Sequence, residues 1–154
     1  MTTMTTKPDS SAREQPTDGV GSLNNATCLV VDDDAVISKA VGNMLRRDGA
    51  TVFTAASADE ALEWLESNGA DLVVTDLKMN GMDGFELTET IKQRDSSISV
   101  LVMSSHAAPD NAAKATSKGA AAYLRKPFNA ETCVGAAKLA LTQDRDKSID
   151  QNLA

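Results

Sequence analysis

The chain has 154 residues, 42% hydrophobic, 24% charged and only 3% aromatic, which suits one globular domain with an aliphatic core. A formal net charge of -7 weighs against nucleic acid as a partner, because binding a phosphate backbone needs a basic surface. No run approaches the roughly 18 apolar residues of a membrane span, and Met1 to Ala26 lacks the apolar segment of a secretory signal, so the chain is expected in the cytoplasm without a membrane partner.

Met1 to Asn25 is rich in Thr, Ser, Asp, Pro and Gly, shows no apolar period and reads as a disordered arm. Ala26 to Leu141 alternates short apolar runs with helical patterns and is read as the folded domain. The first run, Thr27–Val31 (TCLVV), is followed by a helix that Asp34 caps and that continues to about Arg47. After Thr51–Ala55 (TVFTA), Ser57 and Glu60 have the spacing of a capping box ahead of Ala61, Leu62 and Leu65, with Trp64 at the edge of that stripe as a packing residue. The third run, Leu72–Thr75, leads through a glycine-containing loop to a helix over Gly84 to about Arg94; Gly81 and Gly84 read as turns. Ser99–Met103 precedes a helix over Asn111–Lys118, opened by Pro109 and stopped at Gly119. Ala121–Leu124 precedes a helix capped by Asn129, and the polar residues 142–154 are its frayed end or a tail. His106 reads as a solvated loop histidine.

These runs are continuous rather than alternating and rich in β-branched residues, the pattern of strands buried on both faces in a parallel sheet covered by helices. Five strands alternating with five helices predict a doubly wound α/β three-layer sandwich. Cys28 and Cys133 lack metal-ligand spacing and are too few for a disulfide framework. They read as buried thiols of a reducing compartment.

In open α/β sheets, sites form beyond the carboxyl ends of the strands, where strand order reverses. If the order is 2-1-3-4-5, the first and third strands are neighbours, and Asp32, Asp33 and Asp76 crowd into one pocket. Ser104-Ser105 and Arg125-Lys126-Pro127 reach the same edge. Crowded carboxylates with no His or Cys beside them suit a hard divalent cation, Mg²⁺ or Mn²⁺. With such an ion bound, one carboxylate can attack a phosphoryl group, while a lysine and a hydroxyl meet its oxygens. Asp34 alone is read as a helix cap.

The pieces VVDDD (30–34), VVTDLKMNGMDGFEL (73–87), VLVMSS (100–105) and YLRKPF (123–128), in this order and spacing, resemble the response-regulator receiver family of two-component signalling, in its single-domain, chemotaxis-regulator form. The resemblance covers about Ala26 to Leu141 and implies a flavodoxin-like fold of order 2-1-3-4-5. It implies Asp76 as phospho-acceptor, with Mg²⁺ (or Mn²⁺) held by Asp33, Asp76 and the Lys78 backbone carbonyl and by Asp32 through water. It further implies Ser104 as switch hydroxyl, Tyr123 as switch aromatic, Lys126 as phosphate-binding lysine and a cis Lys126–Pro127 bond. The implied partners are a sensor histidine kinase or histidine phosphotransferase, and a downstream protein that meets the face of the fourth helix, fifth strand and fifth helix. Such a protein is a signalling domain rather than an enzyme. No second domain is expected after Leu141, hence no DNA-binding output module. Asn80 stands where many members of the family have proline, so Asn80-Gly81 is expected to form the loop turn. Lys78, two residues after the acceptor, is expected to lie over the phosphoryl group and prolong its life.

Three other readings compete. A haloacid-dehalogenase-like phosphohydrolase would use Asp32 as nucleophile and Asp34 as acid, but the sequence offers neither its later acidic metal pair nor a cap insertion. A flavodoxin-like electron carrier would need a hydroxyl- and glycine-rich loop after the first strand. A scaffold without phosphorylation would not need the intact set of site residues.

Overall fold

The structure is a computed structural model that describes residues 23–105 and 108–153, with 144–153 described by backbone alone. His106 and residues 1–22 of the N-terminal arm lie outside the described residues. The strands are β1 (Thr27–Val31), β2 (Thr51–Ala55), β3 (Leu72–Asp76), β4 (Ser99–Ser104) and β5 (Ala122–Arg125). The helices are α1 (Ala35–Arg47), α2 (Ala58–Ser67), α3 (Gly84–Arg94), α4 (Asn111–Ser117) and α5 (Ala130–Leu153). All neighbouring strands pair in parallel, and their order is β2-β1-β3-β4-β5. The doubly wound, flavodoxin-like sheet expected from the sequence is therefore the architecture observed.

Alternation along the strands divides the core into two layers. Cys28, Val30, Val74, Leu101 and Met103 point to one face, where Val41 and Leu45 of α1 and Cys133, Ala137 and Ala140 of α5 cover them. Leu29, Val31, Val73, Val100 and Val102 point to the other, under Ala61 and Leu62 of α2, Leu87 and Ile91 of α3 and Ala115 of α4. Because helices cover both faces, the central strands have no solvent side, and every residue of β3 and β4 is buried. Both cysteines are free and buried, and loss of hydration pushes their thiols up to about 12 for Cys28 and about 11 for Cys133. They pack as small apolar groups and stay un-ionised at neutral pH.

Helix starts follow the expected chemistry, with two adjustments. Asp34 caps α1 by accepting from the Val36 and Ile37 N–H groups. Asn129 caps α5 by accepting from Thr132 N–H at 2.8 Å. Ser57 accepts from Glu60 N–H at 3.1 Å, but Glu60 reaches back to Ala56 N–H rather than to the cap residue. The reciprocal box is at α3, where Asp83 and Glu86 each accept from the other's N–H. Gly119, with φ +108, ends the segment after α4 as expected. α5 continues through Leu153. Leu23, ahead of the expected domain start, is fully buried, and its N–H donates to Asp48. Trp64 meets Phe53 with ring centroids 5.1 Å apart, a packing contact at the β2 edge.

Leu101 sits in the middle of a central strand with no exposure. Leu101→Ala should lower unfolding free energy by about 2–5 kcal/mol, and Asp34→Ala by about 1 kcal/mol. Urea unfolding midpoints at constant slope check both.

Candidate functional site

The sheet's carboxyl edge assembles the site. β1 and β3 pair up to Val31↔Thr75, so the next residues, Asp32 and Asp76, leave adjacent strands side by side. One carboxylate oxygen from each of Asp32, Asp33 and Asp76 lies within 4.8 Å of the others. Asp32 is 2% and Asp76 8% exposed, whereas Asp33 faces solvent. Asp32 is anchored by the turn into α1, where its Oδ1 accepts from Asp34 N–H at 2.9 Å. Lys126 enters from the far side of the pocket. Its Nζ donates to Asp76 Oδ1 at 3.0 Å and to Asp32 Oδ2 at 3.3 Å. Its own N–H donates to the Ser104 carbonyl at 2.8 Å, and the Lys126–Pro127 bond is cis.

Electrostatics at this edge are lopsided. Burial, reinforced by the Asp32 charge, holds Asp76 above the usual aspartate range although Lys126 pulls the other way. Lys126 suffers desolvation as well, yet two carboxylates more than offset it and raise its ammonium above the usual lysine value. The two directions agree: one cation serves two carboxylates, so it is over-stabilised while Asp76 is under-stabilised. Three convergent carboxylates, partly desolvated, in excess of the local positive charge and with no nitrogen or sulfur donor among them, fit a hard divalent ion.

The other residues singled out by sequence gather at the same edge. Ser104 is the last residue of β4, 1% exposed, one place beyond Met103, which pairs with Asp76. Tyr123 pairs with Val102 and packs, partly buried, on the face of α2, α3 and α4; by alternation Ser104 points to that face too. Lys78 is exposed, beyond the end of β3. Gly81 makes the loop turn at φ +80. Gly84 is not a turn: it is the first residue of α3, with no room for a side chain against the Asp76 carbonyl. Sequence reasoning also passed over Thr75, whose hydroxyl donates to that same carbonyl at 2.9 Å. The available signals were a hydroxyl ending an otherwise apolar run and a glycine at a helix start, where the residue is a poor choice.

The family model for the response regulator receiver domain matches residues 28–138. The chain belongs to that family. Among its curated relatives, the DNA-binding transcriptional regulator NtrC of Escherichia coli K12 is 35% identical over 124 residues, which are 80% of this chain and 26% of NtrC. The heme response regulator HssR of Staphylococcus epidermidis is 36% identical over 101 residues, 66% of this chain and 45% of HssR. The chain thus spans about a quarter to under half the length of these relatives. Solved structures of receiver size match along nearly their whole length. A receiver domain protein from Clostridium thermocellum gives a TM-score of 0.72 at 34% identity, covering 78% of this chain and 97% of that one. The chemotaxis protein CheY4 of Vibrio cholerae gives 0.71 at 29%, covering 75% and 98%. Receivers are phospho-acceptor signalling modules rather than true enzymes, and the acidic triad here is typical of their magnesium-binding site. Membership also implies a histidine kinase as partner. Among the described residues, no helix is long and apolar enough to cross a membrane.

The receiver's acidic edge makes stability depend on pH in a definite direction. Because folding raises the Asp76 pKa, the folded state holds that proton more tightly than the unfolded chain does. Stability from this group is therefore fully present below the ordinary carboxylate pKa and is lost as pH rises through the raised value. Asp76→Asn, which keeps the shape of the protonated form, should match wild type at the acid end of the carboxylate range. Without divalent ions it should be the more stable protein at pH 7. Urea unfolding at both pH values checks this; wild type holding the advantage at pH 7 would refute it.

Proposed function

We propose that this receiver takes a phosphoryl group on Asp76 from the phosphohistidine of a sensor histidine kinase or histidine phosphotransferase, and so changes its affinity for a protein partner. The observation that carries this reading is the bridge from Lys126 Nζ to Asp76 and Asp32 beside the exposed Asp33 carboxylate. Asp33, Asp76 and the Lys78 carbonyl would hold Mg²⁺ (or Mn²⁺), with Asp32 acting through water. The ion supplies charge neutralisation for a phosphoryl group approaching a carboxylate. An Asp76 carboxylate oxygen attacks phosphorus, the phosphorus–nitrogen bond of the donor breaks, and the imidazole leaves with its electron pair. Lys126 then meets a phosphoryl oxygen as a point charge. Ser104, one strand over, accepts the role of hydroxyl donor to another, and Tyr123 on the same face follows it inward. That movement biases the surface of α4, β5 and α5 between two partner affinities. α4 suits such a role, since only Ala115 of this seven-residue helix is buried and Asp110 makes no side-chain cap bond.

Asp32 is the worse nucleophile, which disfavours a phosphohydrolase using it. Its Oδ1 is taken by Asp34 N–H and its Oδ2 by Lys126, and Asp34 is occupied as the α1 cap rather than poised as an acid. The DNA-binding, transcriptional role in NtrC's name belongs to a protein of which this chain spans only 26%. For this receiver the reading is a cytoplasmic phospho-switch acting through protein contacts.

Incubation with acetyl phosphate and magnesium, followed by borohydride trapping and peptide mass spectrometry, should label Asp76 alone. Asp76→Asn should take up no label. Label on Asp32 would instead establish the phosphohydrolase chemistry. Lys78 is exposed two residues after the acceptor; if its side chain hinders attacking water as proposed, Lys78→Ala should shed phosphate several-fold faster than wild type. An unchanged half-life would remove Lys78 from the account.

A further inference from the structure

The peptide following Asp76 is gripped by groups that lie outside the acidic cluster. Thr75 is wholly buried, and its hydroxyl donates to the Asp76 carbonyl oxygen at 2.9 Å. A buried hydroxyl needs a partner, and here the partner is the backbone of the very residue that carries the site. Gly84 presses on the same oxygen: a Cβ there would lie 2.5 Å from Asp76 O and 2.9 Å from Leu77 Cα. Its N–H donates to the Leu77 carbonyl at 2.8 Å, and Leu77 N–H donates to Met103 O at 2.8 Å. Gly84 is itself fixed, because Thr88 donates its hydroxyl to the Gly84 carbonyl at 2.7 Å and the Asp83–Glu86 box seats the first turn of α3. Two successive carbonyls after the strand are thus each met by a dedicated group. The next carbonyl in the chain is that of Lys78.

We propose that Thr75 and Gly84 are positioning residues for the phospho-acceptor: the Thr75 hydroxyl and the bare Cα of Gly84 fix the Asp76–Leu77 peptides and thereby aim the Asp76 carboxylate and the Lys78 carbonyl. This rests on the phospho-acceptor reading of Asp76. Valine would fill the Thr75 site as well as threonine and suit a strand equally, so packing alone does not call for the hydroxyl. Alanine would suit the start of α3 better than glycine, so helix formation does not call for Gly84.

The decisive comparison uses the full chain with Thr75→Val, Thr75→Ser and Gly84→Ala. Magnesium affinity is read by calorimetric titration with magnesium chloride, phosphorylation by acetyl phosphate through intact mass, and folding through Tm. Thr75→Val should weaken magnesium binding and slow phosphorylation by about two- to tenfold, the span one neutral hydrogen bond supports, with Tm little changed. Thr75→Ser, which restores the donor, should return both to near wild type. Gly84→Ala should lose more than about tenfold, because a displaced acceptor is punished steeply. Thr75→Val equal to wild type in both readouts, or Thr75→Ser as impaired as Thr75→Val, overturns the proposal. If Gly84→Ala fails to fold, the Thr75 pair still decides. A wild-type chain that binds no magnesium overturns the phospho-acceptor reading and this proposal together, whereas a binding wild type matched by Thr75→Val overturns this proposal alone.

Discussion

One ammonium shared between two buried carboxylates is the constraint on which this receiver is organised. Lys126 Nζ lies 3.0 Å from Asp76 and 3.3 Å from Asp32, and it offsets the cost of burying two carboxylates side by side. With it, the pocket is still unbalanced: counting Asp33, three carboxylates face one cation. Burial and mutual repulsion leave Asp76 short of stabilisation while Lys126 has a surplus. A site in that condition has much to gain from added positive charge, and a divalent ion supplies it where a second lysine would have closed the pocket. The protein gives up some stability at neutral pH so that the pocket responds to what binds there.

The parallel sheet makes this arrangement possible, because every strand delivers its carboxyl end to one edge. β1 and β3 are adjacent, so Asp32 and Asp76 meet without needing long side chains, and aspartate is short enough to keep both near the backbone. Lys126 has a different problem. It follows β5, two strands from β3, a lateral distance of roughly 10 Å. Only a long side chain spans that, and the lysine stem also packs while its head reaches the carboxylates. Its backbone is tied to β4 through the Ser104 carbonyl, so the position of Lys126 and the end of the strand carrying Ser104 are mechanically linked.

Much of this was legible in the residues themselves, and the parts that were not share a cause. Continuous apolar runs revealed five strands, although the edge strand β2 exposes Thr51, Phe53 and Thr54 instead of being buried on both faces. The runs also stopped short of Asp76, Ser104 and Arg125, which pair in the ladder all the same. Strand pairing is made by backbone groups and continues through a polar side chain, whereas an apolar pattern cannot. The acidic trio, Lys126 and Ser104 were visible because their chemistry is unusual for strand ends. Thr75 and Gly84 were not, since what they do depends on which backbone oxygen they meet, and that is decided by how α3 docks. Leu23 was hidden for a related reason. A single leucine in a polar arm has no period to reveal it, yet it fills the core and hands its N–H to Asp48.

The helices are not held equally, and the difference lies where a switch would use it. α1, α2, α3 and α5 each begin on a side-chain cap, whereas α4 has none and buries only Ala115. α4 is tethered to α3 mainly at the surface, by Lys114 over the Phe85 ring at 4.7 Å and Lys118 with Glu89 at 3.6 Å. Contacts of that kind are individually weak, in the range of a few tenths to about 1 kcal/mol. The other end of the pathway is rigid: Asp76 sits on a fully buried strand whose following peptide is locked against α3. On the proposed phospho-switch reading, a change of charge at Asp76 would find little compliance behind it and would be felt at α4, through Ser104. Rigid presentation of the acidic pocket and loose attachment of α4 are two halves of one design. On the proposed reading, the first would keep the chemistry in place and the second would let a modest electrostatic change be felt at a surface.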